Sequence, residues 1–341
     1  MRVLVTGATG FIGQQVCRTL GGTEHDIWAT SSEGTTRESR ETLSLPIHRY
    51  TMGGHLPVDL IGWKPEVVLH LAWEGIPDLG PDMCAKNVRD QRRFFEQVCD
   101  LPSVKKVVTA GSCREYGDVR GPCQESLTVE TIDVFGSAKE EIRRSLEASC
   151  AGSGIDVTWL RIFYVYGPGQ RPGGLIPSLV DSLVRGEQVH LGFPDAAHDF
   201  VHVDDVAHAF VCALEKPDTA GIFNVGSGRP TVVADVARLV TAAWSGDGSV
   251  DDLGTIPTVT TADTGMWADL TQIKKCLDWR PKVDLATGIA TTTQWFAKRL
   301  EQDRHLFQRL KDCSLIWIHI NNSSLKRLLA NMTVKRIFKE T

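Results

Sequence analysis

Several things are scarce or absent in this chain of 341 residues, and each absence narrows it. No apolar run is long enough to span a bilayer, so no integral membrane segment is expected. Neither sign of charge dominates: a net charge of −5 gives no reason to expect a nucleic-acid partner. The nine cysteines are an odd number with no C-x-x-C pair and no zinc spacing. They read as reduced, mostly buried thiols in a cytoplasmic protein, with no metal site. Met1-Arg2-Val3-Leu4-Val5 runs straight into the first motif and leaves no room for a signal peptide before it. Tyrosine is scarce, with four in the chain. What remains, 42% hydrophobic and 23% charged residues, is an ordinary globular composition whose length suits one large α/β domain or two.

The apolar pattern alternates between short runs and helical periodicity. Arg2–Thr6, His25–Thr30, Glu66–Leu71, Lys105–Ala110 and Asp156–Ile162 read as buried strands. Helical stretches lie between them, among them one running from Gly13 through Leu20, Met83–Cys99 and Gly136–Cys150. Such alternation predicts an α/β fold, a Rossmann-type doubly wound parallel sheet covered on both faces. Beyond about Tyr164 short strands (Val189–Leu191, Ile222–Val225) mix with helices (Asp204–Leu214, Val232–Trp244, Ala286–Leu300), as in a smaller C-terminal α/β substrate lobe. The expected division is 1–165 for dinucleotide binding, with returning segments from later in the chain, and 166–302 mainly for substrate. The segment 303–341 is a basic tail of unassigned role. In it Leu315–Ile320 is strand-like and Ser324–Glu340 is an amphipathic helix, read first as docking on its own protein or a partner subunit and second as lying on a membrane surface.

Gly7-x-x-Gly10-x-x-Gly13 lies between the first strand and its helix, where a dinucleotide site needs it. Gly7 permits the tight turn, Gly10 the approach of backbone to pyrophosphate, and Gly13 close helix–strand packing, with the helix N-terminus facing the phosphates. Thr9, Phe11 and Ile12 complete the loop. NAD sites usually hold the ribose through an acid ending the second strand. Here that strand ends in Ser31-Ser32, and Asp26 opens it too early to serve. A 2′-phosphate meets no repulsion there and would bind Ser31, Ser32 or Arg37, so NADP is preferred over NAD.

These residues, with several later motifs in the same order, resemble the extended short-chain dehydrogenase/reductase family in its NAD-dependent epimerase/dehydratase branch, over about residues 1–302. Thr6–Gly13 is similar to that family's glycine motif. His70-Leu71-Ala72, followed by Trp73, resembles the loop along the adenine and ribose side, and Asn87 stands where relatives support the site. Ala110–Gly117 resembles Ser-Ser-x-x-x-Tyr-Gly, which puts Ser112 at the catalytic serine and Cys113 beside the substrate. Leu160–Gly169 resembles the strand end by the nicotinamide, with Phe163 on the cofactor and Tyr164 on the substrate. His198–Asp205 and Asn224–Gly228 resemble substrate-lobe signatures. The resemblance implies hydride transfer at a sugar carbon, probably C4, of a nucleotide-activated sugar. It also implies a homodimer formed through Met83–Cys99 and Gly136–Cys150.

The departures matter as much. The family's catalytic Tyr-x-x-x-Lys is here Phe135-x-x-x-Lys139. Lys139 keeps the cofactor ribose and Ser112 the sugar oxygen, but phenylalanine carries no proton. Tyr164, Tyr116, Cys113 or a water on Ser112 are the candidate replacements. Cys113 and Arg114 stand where sugar dehydratases carry an Asp-Glu pair, so dehydration is not expected. His198 stands where relatives often place a phosphate-binding arginine. Arg171, Arg185 and Arg280 are other candidates for that contact. The open readings are a nucleotide-sugar reductase or epimerase, an impaired family member acting as a binding or partner protein, and an engineered Tyr-to-Phe variant.

Overall fold

The computed structural model describes residues 1–32, 43, 45–127, 133–187, 189–245 and 265–312, with side chains through 301. The chain divides into two compact units, Met1–Thr293 and Gln294–Thr341. The tail elements expected at Leu315–Ile320 and Ser324–Glu340 lie outside the described residues, as does Arg37.

Seven parallel strands form the main sheet: β1 (Arg2–Thr6), β2 (Asp26–Ser31), β3 (Ile47–Arg49), β4 (Val67–His70), β5 (Lys106–Ser112), β7 (Asp156–Ile162) and β11 (Gly221–Val225). Their order is β11-β7-β5-β4-β1-β2-β3, which reverses direction at β1. That reversal opens a crevice at the carboxyl ends of the strands, where ligands of such sheets bind. The strands are apolar because helices cover both faces. On one face α1 (Phe11–Leu20) and α6 (Val203–Glu215) pack over Val3, Val5 and Leu69. On the other α3 (Pro81–Cys99) and α4 (Val134–Cys150) bury Phe94, Phe95, Ile142 and Leu146 against Leu4, Val68 and Val107. The short α2 (Val58–Trp63) precedes β4.

The smaller elements hang from the carboxyl edge. β8 (Tyr164–Tyr166) pairs with β10 (Phe200–His202). β6 (Gly121–Cys123), β9 (Ala197–His198), β12 (Thr231–Val232) and β13 (Met266–Ala268) form a second small sheet. α5 (Leu175–Val184), α7 (Val233–Ser245) and α8 (Thr271–Leu277) pack around them, and α9 (Leu285–Asp312) begins within the first unit. Asp199 is wholly buried and its carboxylate accepts from the Ser227 hydroxyl and from the backbone N–H groups of Ser227, Gly228 and Ala268. One correction concerns Val189–Leu191, which forms no strand. The pair β9–β12 forms the ladder there, with Ala197 opposite Val232, while Leu191 only adds its side chain to the same apolar cluster.

Removing the Asp199 carboxylate leaves buried donors unpaired. Asp199→Ala is expected to destabilise the fold by about 2–5 kcal/mol, read from the urea midpoint at unchanged m-value.

Candidate active site

Strand ends, not distant loops, position the site. β1 stops at Thr6 and the chain turns at Gly7, whose φ is +70°. A Cβ at Gly7 would lie 2.8 Å from the backbone nitrogen of Ala72, so the glycine loop and the loop after β4 touch backbone to backbone. A Cβ at Gly13 would lie 2.0 Å from the Gly7 carbonyl oxygen, so α1 needs that glycine to start against the strand. Gly10 is the N-cap of α1 and no side chain caps the helix. Its first N–H groups are therefore left for an anion. This uncapped cradle fits the pyrophosphate of a dinucleotide. Thr9 donates from its hydroxyl to that of Ser31 at 3.1 Å and ties the loop to the end of β2, with Ser32 exposed next to it. Phe11 and Ile12 are half-buried, and Phe11 lies beside Gly169 in the turn that follows β8.

A buried polar chain shapes the loop after β4. The Thr6 hydroxyl meets His70 at 2.8 Å, His70 meets Gln91 at 3.0 Å, and Gln91 donates to Asn87 at 3.3 Å. Asn87 in turn binds both the N–H and the carbonyl of Glu74 at 2.9 Å. Burial pulls the His70 imidazole down to about 3, so it stays neutral in this chain of dipoles. Asn87, expected to support the site, is 2% exposed with its amide engaged by Glu74, Met83 and Gln91, and so ties the loop after β4 to α3.

Ser112 ends β5 and caps a short 3-10 turn, Cys113–Tyr116. Its hydroxyl oxygen accepts from the Arg114 N–H at 3.2 Å, which leaves its proton free to donate outward. Its N–H donates to Glu115 at 2.7 Å. Glu115 is 2% exposed and is also bound by Trp159 at 3.0 Å and by Arg161 at 2.8 Å. This anchor was not foreseen, although Ser112-x-x-Glu115 carries a capping-box spacing. Arg114 pairs with Asp133 at 3.0 Å, and Asp133 caps α4 through the Gly136 N–H.

That cap sets Phe135 and Lys139 one helical turn apart on α4, as their spacing predicted. The Lys139 ammonium donates to the Ala110 carbonyl at 2.8 Å and stands 4.4 Å above the Trp73 ring. Phe135 meets Trp73 edge to face at 4.8 Å, and the Arg114 guanidinium lies 5.2 Å from the Phe135 ring centre. An aromatic sleeve therefore surrounds the lysine where a phenol was expected. Burial pulls the Lys139 ammonium down to about 8, against the opposing pull of Glu115.

Three expected roles change on burial. Cys113 is 4% exposed within the core, and burial pushes its thiol well above the usual range, so it neither faces substrate nor relays protons. Tyr116 is fully buried and donates to Asn224 at 2.7 Å. Phe163 is 3% exposed and forms the floor beneath the site, its N–H held by Val225, instead of touching the cofactor. Tyr164 and His198 do come together, stacked at 4.0 Å between ring centres. Burial lowers the His198 pKa, so it offers no cation to a phosphate. Arg171 donates to the Ile76 carbonyl at 2.9 Å, Arg185 pairs with Asp181 and Glu187, and Arg280 is exposed.

A family model described as the NAD dependent epimerase/dehydratase family matches residues 3–226. The chain belongs to that family. It is thereby an enzyme-family member of the NAD-dependent, short-chain dehydrogenase type. UDP-glucose 4-epimerase of Mycolicibacterium smegmatis is 29% identical over 315 residues, 88% of this chain and 99% of that one. The crystal structure of UDP-glucose 4-epimerase with UDP-glucose from Thermotoga maritima is 27% identical, with a TM-score of 0.73 over 88% of this chain and 100% of that one. MoeE5 in complex with UDP-glucose and NAD is 28% identical, with the same TM-score and coverage. Among the described residues no helix is long and apolar enough to cross a membrane.

Two measurements check this geometry. Glu115→Gln leaves Arg161 buried without its counter-charge and should cost about 3–5 kcal/mol in chemical denaturation. Dinucleotide affinity, followed by fluorescence, should fall as pH rises through about 8, because Lys139 then loses the proton that makes it a cation.

Proposed function

We propose that this protein is an NAD(P)-dependent nucleotide-sugar reductase or epimerase acting at a sugar keto or hydroxyl carbon, C4 by the example of its relatives. One observation carries the reading: Lys139, held by Ala110 and Trp73, stands with Ser112 at the carboxyl edge beside an uncapped glycine-loop helix. Residues 1–165 with the returning β11 hold the dinucleotide and 166–302 mainly the sugar nucleotide. The dinucleotide supplies the hydride chemistry. Gly7, Gly10 and Gly13 with the N-terminus of α1 bind its phosphates, and Lys139 its nicotinamide ribose. Ser112 orients the sugar oxygen by donating a hydrogen bond to it. Dehydration is disfavoured, since Cys113 is buried and Arg114 is paired with Asp133, leaving no carboxylic acid at those positions.

NADP is our preferred cofactor. β2 ends in Ser31 and Ser32 with no carboxylate on those residues to repel a 2′-phosphate, whereas relatives such as MoeE5 carry NAD. A homodimer through the outer faces of α3 and α4 fits the groove there, lined by Ala85, Val88, Val134 and Ala138, with Val134 46% exposed. Its location is the cytoplasm. A second reading, a dinucleotide-binding family member with impaired chemistry, is favoured by Phe135, whose ring fills the place of a proton carrier.

Denaturing the purified protein and weighing the released small molecules separates these. Stoichiometric NAD(H) supports an epimerase that recycles its hydride and overturns the NADP preference. NADP(H) at partial occupancy, or empty protein, supports a reductase that exchanges cofactor. Phe135→Tyr is expected to raise turnover on keto-sugar nucleotides by about 10-fold or more, and unchanged turnover with cofactor bound would reject the family geometry at this position.

A further inference from the structure

The four tyrosines meet different fates. Tyr50 lies in the core on the α3 face and donates to the Gly54 carbonyl at 3.3 Å. Tyr116 donates to Asn224. Tyr166 has no hydrogen bond from its hydroxyl among the described residues, but it is 2% exposed and enclosed against Gly288. Tyr164 is half-buried, and its hydroxyl has no hydrogen-bond partner among the described residues.

Its place is equally specific. Ser112 is the register partner of Ile162, and Tyr164 follows two residues later, so it starts β8 at the same edge of the sheet as the catalytic serine position. Its N–H is fixed by the Asp199 carbonyl at 2.9 Å, and its ring is clamped on His198. The groups acting electrostatically on its phenol are Cys113, Arg114 and Asp133. The first two follow Ser112 in sequence and the third caps the helix that carries Phe135.

We propose that Tyr164 supplies the hydroxyl that Phe135 lacks and donates the proton to the sugar oxygen in a reduction of a 4-keto sugar nucleotide. This rests on the nucleotide-sugar reading above and names the proton donor within it. The carbonyl carbon receives a hydride from NAD(P)H, the C=O pair moves onto oxygen, and that oxygen takes the Tyr164 proton. The phenolate is then reprotonated from solvent. Burial pushes the phenol up to about 12, with Cys113 and Asp133 adding to the rise and Arg114 opposing it. The phenol is therefore protonated at neutral pH, as the donor to a developing alkoxide must be.

The test uses the full-length protein, keto-sugar nucleotides with NAD(P)H, and the conservative variant Tyr164→Phe. Turnover should fall by about 10²–10⁴-fold with melting temperature, cofactor affinity and KM unchanged. Phe135→Tyr placed in that variant should restore part of it. Independently of turnover, UDP-glucose binding should give a tyrosine ultraviolet difference spectrum in the wild type that Tyr164→Phe lacks. Wild-type turnover in Tyr164→Phe, a change in KM alone, or the same difference spectrum in wild type and variant would overturn the proposal. A wild-type protein that binds no dinucleotide and reduces no sugar nucleotide would sink the broader reading, and this inference with it.

Discussion

The Glu115 carboxylate is the interaction on which the site depends. Buried beneath the carboxyl edge, it accepts from the Ser112 backbone, from Trp159 and from Arg161, and so joins β5, β7 and the turn between sheet and site. A buried charge is tolerated only when paired and fully hydrogen-bonded. Arg161 meets that requirement and also lies 4.5 Å from the Tyr116 ring, whose hydroxyl reaches Asn224. Asn224 in turn binds the Cys123 carbonyl. The orientation of Ser112 is thus fixed from inside the core.

On the outer side of Ser112 the family's phenol–ammonium couple is replaced by an aromatic arrangement. Lys139 retains its position through Ala110 and gains the face of Trp73, while Phe135 packs edge-on against that ring. Cation–π attraction keeps a desolvated ammonium in place without a hydroxyl. The lysine at 139 is present and residue 135 carries no hydroxyl, and the two belong to different side chains one helical turn apart.

Past the end of β7 a neutral His198 is stacked on Tyr164, whose hydroxyl has no hydrogen-bond partner among the described residues. Residue 135 is carried by α4, and Tyr164 starts β8 two residues past the end of β7.

Much of this was legible in the sequence. Strand–helix alternation is local, so the parallel sheet, the glycine loop and the one-turn relation of Phe135 to Lys139 followed from periodicity alone. The strand expected at Val189–Leu191 failed because pairing partners are chosen by the whole fold, and β9 took that place. Burial depends on contacts far apart along the chain, and it enclosed Cys113 and Tyr116, both weighed as proton relays, together with Phe163. The same long-range contacts put Trp73 on Lys139 and tied Glu115 to Arg161. The sequence by itself determined which atoms were available for chemistry, above all that residue 135 has no hydroxyl. Only the tertiary structure decided that Tyr164 stays half-buried at the strand ends while Tyr166 is enclosed, because that depends on what each ring meets when the strands come together.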